Sequence, residues 1–187
     1  MRVDLKGFEE MYRRDEDPWD FVSSPYEQRK YDVTIASLPR RDYRRCFEPG
    51  CSIGALTERL ARVADEVVAM DAAPTAIEVA SRRLCDVRGV SASVGTLPEQ
   101  WPAGEFDLIV FSEIGYYWDE VSWAEIVSMA ASRLAEGGHL LGVHWIGHSL
   151  DHVLNGRVVH QVMRALLGEP VVEHRDQEFV LDVWQPS

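Results

Sequence analysis

The chain has 187 residues, 46% of them hydrophobic, and 31 acidic against 19 basic side chains give it a formal net charge of −12. That length and apolar share suffice for one domain with a substantial core, and no stretch is long and apolar enough to span a bilayer. So acidic a surface repels phosphate backbones, which excludes DNA or RNA as an expected partner and favours neutral or cationic small molecules.

The N-terminus, MRVDLKGFEEMYRRDEDPWDF, is an acidic arm with aromatic residues and no apolar h-region, so no secretory signal is expected. Three scattered cysteines in no paired spacing agree with a reducing, cytoplasmic setting. The stretch SPYEQRKYDVTIASL then places Tyr26, Lys30, Val33 and Ser37 on one side and Tyr31, Ile35 and Leu38 on another, a helix that Pro39 ends. A first strand is expected over Arg44–Glu48. Ile53, Leu56, Leu60 and Val63 follow at helical spacing, and a short buried strand runs from Glu66 to Met70 and ends at Asp71. Pro74 opens a helix with Ile77, Ala80 and Leu84 on one face.

The alternation continues with VSASV from Val90 as a third strand and FDLIVFS from Phe106 as a fourth. Ser122 and Glu125 stand in capping-box spacing before Trp123, Val127, Ala130 and Leu134, a helix that Gly137 and Gly138 stop. HLLGVHW is a fifth strand, GRVVHQVMRALLG a helix, and PVVEHRDQEFVLDVW two strands around a turn at Asp176–Gln177. The pattern predicts an α/β fold: a doubly wound, Rossmann-like sheet of about seven strands, mostly parallel, with a C-terminal antiparallel hairpin, helices on both faces and an extra N-terminal helix. One domain, 1–187, is expected, with residues 1–40 as arm and lid-like helix and 44–187 as core.

The stretch CFEPGCSIGALTERLA joins the first strand to a helix through a Gly-rich turn. Gly50 and Gly54 let backbone approach a ligand, and Asp71, about twenty residues on at the end of the second strand, sits where such sheets hold ribose hydroxyls. A turn between strand and helix would also need glycine for shape alone. A dinucleotide would require G-x-G-x-x-G, whereas GCSIG is followed by Ala55 and Leu56 without the third glycine. Glu48, just before the turn, would repel a pyrophosphate but suits a cationic sulfonium or ammonium, which favours S-adenosylmethionine.

On EPGCSIG, MDAAP and FDLIVFSEIGYYW the chain resembles the Class I S-adenosylmethionine-dependent methyltransferases. On DEDPWDFVSSPYEQRKY and VHWIG it is more narrowly similar to the nodulation protein S family, whose best-known members N-methylate amino sugars of chito-oligosaccharides. The resemblance implies that Glu48, Gly50, Cys51, Ser52 and Gly54 surround the methionine part of the cofactor, that Asp71 accepts the ribose hydroxyls, and that Ala72 packs on adenine. It places Thr96, with Leu97 next to it, where many class members carry an aspartate for the adenine amino group. A threonine hydroxyl or a backbone carbonyl can accept the same bond. Ser52 implies a slightly wider turn than glycine would make.

Glu113, at the end of the fourth strand, stands where transferring groups meet in such sheets and is a candidate catalytic and cofactor-side acid, with a solvated loop acid as its alternative. Tyr116, Tyr117 and Trp118 line an acceptor pocket or belong to the core. His144, near the C-terminal end of the fifth strand beside Trp145, is the candidate proton acceptor or else a hydrogen-bonded core histidine. Trp19 and Tyr26, with Lys30 and Tyr31, form a lid over the cofactor or an amphipathic helix packed on the sheet edge; Trp19 and Tyr31 join the candidate substrate pocket. His148, His152 and His160 show no carboxylate or cysteine at ligand spacing, so no metal is expected. The function expected is S-adenosylmethionine-dependent methyl transfer, yielding S-adenosylhomocysteine, to a small-molecule amine or amino-sugar nitrogen. The alternatives are a small-molecule O-methyltransferase and a non-catalytic adenosyl-ligand binder. A monomer or homodimer is expected.

Overall fold

In a computed structural model, which describes residues 5–186, the chain forms two compact parts, one through Pro102 and one from Ala103. The expected boundary of a single domain at 1–187 therefore extends past the described residues at both ends.

The first part begins with α1 (Leu5–Arg14) and α2 (Pro25–Ala36), then alternates β1 (Tyr43–Pro49), α3 (Ala55–Leu60), β2 (Ala64–Asp71), α4 (Pro74–Arg83) and β3 (Val90–Val94). Its strands lie in the order β3-β2-β1, all parallel. β1 carries Cys46 and Phe47 with no exposure at all, and β2 buries Val67, Ala69 and Met70. α4 starts at Pro74, whose missing N–H is no loss in a first turn, and buries Ala76, Ile77, Val79 and Ala80. α3 has only six residues, because the chain re-enters a strand at Ala64 where it pairs with Tyr43. The acidic arm, where no element is predicted from sequence before residue 24, contains α1. Phe8 and Tyr12 at i and i+4, and the Glu9–Arg13 ion pair on the same spacing, give it a helical signature.

The second part runs β4 (Phe106–Ser112), a 3-10 turn at Gly115–Tyr117, α5 (Glu120–Ser132), β5 (Leu134–Trp145), α6 (Gly156–Leu167), β6 (Val172–Arg175) and β7 (Phe179–Trp184). Here β4 and β5 are parallel, and β7 lies antiparallel to both β5 and β6. The expected strand count of seven, the mostly parallel pairing and the antiparallel terminal hairpin are all met. All six residues of β7 are buried, five of them apolar and the sixth Asp182.

Two local readings change. Asp119, not Ser122, caps α5, its carboxylate accepting the Ser122 N–H at 2.9 Å. Gly137 and Gly138 do not stop that helix; they lie inside β5, because the chain begins pairing with β4 already at Leu134. The irregularity between the Phe106–Leu134 and Leu108–His139 pairs absorbs them, with Gly137 at φ +69°. Among the described residues no helix is long and apolar enough to cross a membrane.

α2 packs on α3 through Arg59, which donates to Asp32 and Gln28 and lies over the ring of Tyr31. On its inner side Lys30, 1% exposed, pairs with buried Glu27 at 2.9 Å and approaches the ring of Tyr26. Removing one member of a buried pair strands the other charge. Lys30→Met is expected to cost about 3–5 kcal/mol in urea unfolding, and Glu27→Leu added to it to restore most of that loss.

Candidate functional site

β1, β2 and β3 end side by side, and the loops that leave them converge. The turn after β1 takes three positive φ values within five residues: Gly50 at +73°, Ser52 at +50° and Gly54 at +79°. This left-handed backbone is what the two glycines make affordable. The N–H groups of Gly50 and Cys51 both donate to the Met70 carbonyl, at 2.6 and 3.0 Å.

Asp71 completes the turn. Its carboxylate accepts the Ser52 N–H at 2.8 Å through one oxygen and the Ala73 N–H at 2.9 Å through the other, while its own carbonyl accepts the Gly95 N–H at 2.9 Å. Ser52 is therefore held in the left-handed region by a charged acceptor, and its N–H points to the acid. Burial raises the Asp71 carboxyl above its ordinary range against the pull of the Ala73, Ser52 and Ala72 amides.

Glu48 lies under the turn, 2% exposed, and accepts the Thr57 hydroxyl at 2.5 Å. Burial pushes it up to about 8, which the Thr57 bond opposes and nearby Asp71 reinforces. Burial also raises the thiol of Cys51, helped by Asp71 and Glu48. Thr96 follows β3, its N–H and hydroxyl turned to the side-chain carbonyl of Gln100 at 2.9 and 3.4 Å; Leu97 is buried and Ala72 half-buried beside Asp71. The structure so brings together Glu48, Gly50, Cys51, Ser52, Gly54, Asp71, Ala72, Thr96 and Leu97 at neighbouring strand ends.

Tyr12 was not singled out in the sequence, yet its hydroxyl meets that of Ser52 at 2.5 Å. α1 is further tied to α4 by Glu9, which accepts the N–H and the hydroxyl of Thr75 at 3.1 and 2.7 Å. Trp19 packs edge-on against Tyr12 over the cluster of Tyr12, Ile53, Ala73, Ala76 and Val79. Tyr31, by contrast, is buried in α2 under Arg59.

In the second part Glu113 follows β4 at φ +58°. Its carboxylate accepts the Trp145 N–H at 3.0–3.2 Å and the Tyr116 hydroxyl at 2.5 Å. His144 is wholly buried. Its Nε2 accepts the Gly115 N–H at 3.0 Å, so its ring proton sits on Nδ1 and is donated to His160 Nε2 at 3.0 Å. His160 in turn donates from Nδ1 to Asp182 at 2.6 Å. Burial holds His160 below its ordinary value despite Asp182, while His160 and Arg175 overcome the burial of Asp182 and keep its carboxyl low. The histidines are neutral and the aspartate ionised. His160 thus has the carboxylate partner that sequence spacing does not reveal, since β7 supplies it from 22 residues away. Among the described residues no group of three His, Cys, Asp or Glu side chains is arranged to hold a metal ion.

The Glu48 shift has a sign that can be measured. A carboxyl raised from 4.5 in the unfolded chain to about 8 in the folded one contributes stability in full below pH 4.5 and loses it as pH rises to about 8. Glu48→Gln is expected to remove a decline of a few kcal/mol across that window, read as the difference between the two proteins' unfolding free energies from pH 5 to 8.

The Nodulation protein S (NodS) family matches residues 6–141. Nodulation protein S of Rhizobium tropici is 30% identical over 128 residues, 67% of this chain and 54% of that protein, so the chain spans about half the length of that relative. A solved structure from Pseudomonas syringae is 41% identical, with a TM-score of 0.76 over 85% of this chain and 97% of that one. The N-methyltransferase NodS of Bradyrhizobium japonicum WM9, solved with S-adenosyl-L-homocysteine, is 25% identical with a TM-score of 0.84, covering 98% of both chains. The family match covers most of the chain, from α1 into β5, and the chain belongs to the nodulation protein S family.

Proposed function

We propose that the chain is an S-adenosylmethionine-dependent methyltransferase that acts on the nitrogen of a small-molecule amine or amino sugar. The observation that carries this reading is the acid pair at the strand ends: Asp71 beside a turn of approachable backbone, and Glu48 buried without a cation. The Asp71 carboxylate, held at the strand end by the Ser52 and Ala73 amides with the Ala72 amide beside them, is an acceptor to which ribose hydroxyls can donate. Glu48, raised to about 8 by burial, is the group that an ammonium or sulfonium above it would favour in ionised form. Both features suit an adenosyl ligand with a cationic amino-acid end, and neither suits a pyrophosphate. The bound cofactor supplies an electrophilic methyl group on a sulfonium.

The chain's own contribution is binding and orientation, which carry most of the rate in an in-line displacement. Asp71 takes the ribose hydroxyls, Ala72 and Leu97 border the adenine, and Thr96 offers backbone and hydroxyl groups near it. Gly50, Cys51, Ser52 and Gly54 surround the methionine part. α1 covers the turn through Tyr12 and Ser52, so the arm with Trp19 acts as a lid. The partner in this reading is a small molecule and not a nucleic acid, and the setting is cytoplasmic, in keeping with three cysteines in no paired spacing.

Calorimetry with S-adenosylmethionine and S-adenosylhomocysteine tests the placement. Asp71→Ala is expected to lose roughly 1.5–3 kcal/mol for each hydroxyl bond, a weakening of tenfold or more. A folded variant that binds both ligands as tightly as the wild type would sink it.

A further inference from the structure

The loop after β5 is clamped at both ends. Asn155, the N-cap of α6, donates its side-chain amide to the carbonyls of Ile146 and Gly147 at 3.2 and 3.1 Å, and Val153 and Leu154 donate their N–H groups to the Tyr116 carbonyl at 2.9 and 3.1 Å. The clamp seats His152 flat on the ring of Tyr116, with centroids 3.7 Å apart and planes 13° from parallel. Tyr117 and Trp145 stand edge-on to the same imidazole at 5.4 and 6.0 Å.

Glu113 faces this group. It holds a left-handed backbone unusual for a side chain of its size, and such strain persists only where surrounding bonds enforce it. The enforcing bonds are the Glu113 N–H to the Val143 carbonyl at 2.9 Å and the carboxylate contacts with Trp145 and Tyr116. A carboxylate, the Tyr117 ring, a tryptophan edge and an imidazole thus meet at partly exposed positions around buried Tyr116, the makeup of a site for an organic ammonium. His152 is half-buried, and burial holds it below its ordinary value; Glu113 and Asp151 pull it up and His148 pushes it down. It is neutral at neutral pH and carries a ring lone pair. His144 is differently placed, with Nε2 engaged by Gly115 and Nδ1 by His160.

We propose that Glu113, Tyr116, Tyr117 and His152 form the ammonium site of the acceptor, that His152 takes the proton the acceptor must lose, and that His144 only positions the Gly115–Tyr117 turn. The inference rests on the methyltransferase reading for its chemistry. Glu113 and the aromatic faces hold the substrate ammonium. One N–H proton passes to the imidazole of His152, leaving a neutral amine whose lone pair is free. That lone pair forms the new N–C bond while the electrons of the broken C–S bond stay on sulfur. The imidazolium, stabilised by Glu113, returns its proton to water.

The test uses NMR of the imidazole resonances in the full chain, with glucosamine hydrochloride as the ammonium probe and N-acetylglucosamine as its neutral counterpart. Glucosamine is expected to shift the His152 signals, identified by their loss in His152→Asn, and N-acetylglucosamine to leave them in place. Glu113→Gln should weaken the glucosamine response at least tenfold. No shift with glucosamine, equal shifts with both sugars, or a full response in a folded Glu113→Gln protein would each overturn the site. In turnover with glucosamine, His152→Asn is expected to lower kcat about 10²–10⁴-fold and to abolish the limb along which rate rises with pH, whereas His144→Asn keeps the limb. A limb lost in His144→Asn and kept in His152→Asn overturns the assignment of the proton acceptor. Calorimetry with S-adenosylmethionine on the same samples separates the two ideas: a protein that answers glucosamine but not the cofactor keeps the ammonium site and loses the methyltransferase reading.

Discussion

The first part of the molecule is organised around one carboxylate. Asp71 takes an amide from the turn after β1 and another from the start of α4, and its carbonyl takes the amide of Gly95 after β3. Three loops from three strands are thereby fixed to one residue. Charge-assisted bonds of this kind are stronger than neutral ones, and a partly buried setting strengthens them further. Everything built on the turn inherits that anchor. Ser52 can adopt its left-handed conformation because its amide is held, its hydroxyl then meets Tyr12, and through Tyr12 the arm is laid over the cluster of Ile53, Ala73, Ala76 and Val79.

The second part is organised by a chain of neutral donors ending in a charge. Arg175 and His160 hold Asp182, His160 holds His144, and His144 holds the amide of Gly115. Each ring has one proton and one lone pair, so fixing one end of the chain fixes every tautomer along it. The space at the far end is equally constrained. A side chain on Gly115 would come within 2.4 Å of Val159, 2.9 Å of Trp123 and 3.0 Å of His144. The position of the 3-10 turn, and with it the tyrosines and Glu113, follows from this packing and not from the turn's own sequence.

Both parts spend buried polarity in the same way. Lys30 and Glu27 neutralise each other inside α2, Asp182 is met by Arg175 and His160, and Glu48 stays protonated instead. In the first two, charge is met by charge within the fold. Glu48 differs in being buried near another acid, Asp71, and bonded to the Thr57 hydroxyl, so burial leaves it protonated instead of paired.

The strands and most helices were legible in the amino-acid order, because apolar runs such as FDLIVFS and faces such as Ile77, Ala80 and Leu84 declare themselves within a few residues. The Gly-rich turn and the acid twenty residues later were legible for the same reason: one strand and one helix separate them. Boundaries set by pairing were not. The early start of β5 and the shortness of α3 depend on which strand lies alongside, which local pattern does not contain. Contacts over long separations were hidden as well: Tyr12 on Ser52 spans 40 residues and His160 on Asp182 spans 22. The amino-acid order alone settled the α/β alternation, the position of the Gly-rich turn and the acids Glu48 and Asp71 that flank it. Only the tertiary structure decided which histidine is locked and which lies on a tyrosine beside an acid, because a ring nitrogen's role is set by the partner that reaches it, and those partners arrive from distant strands and loops.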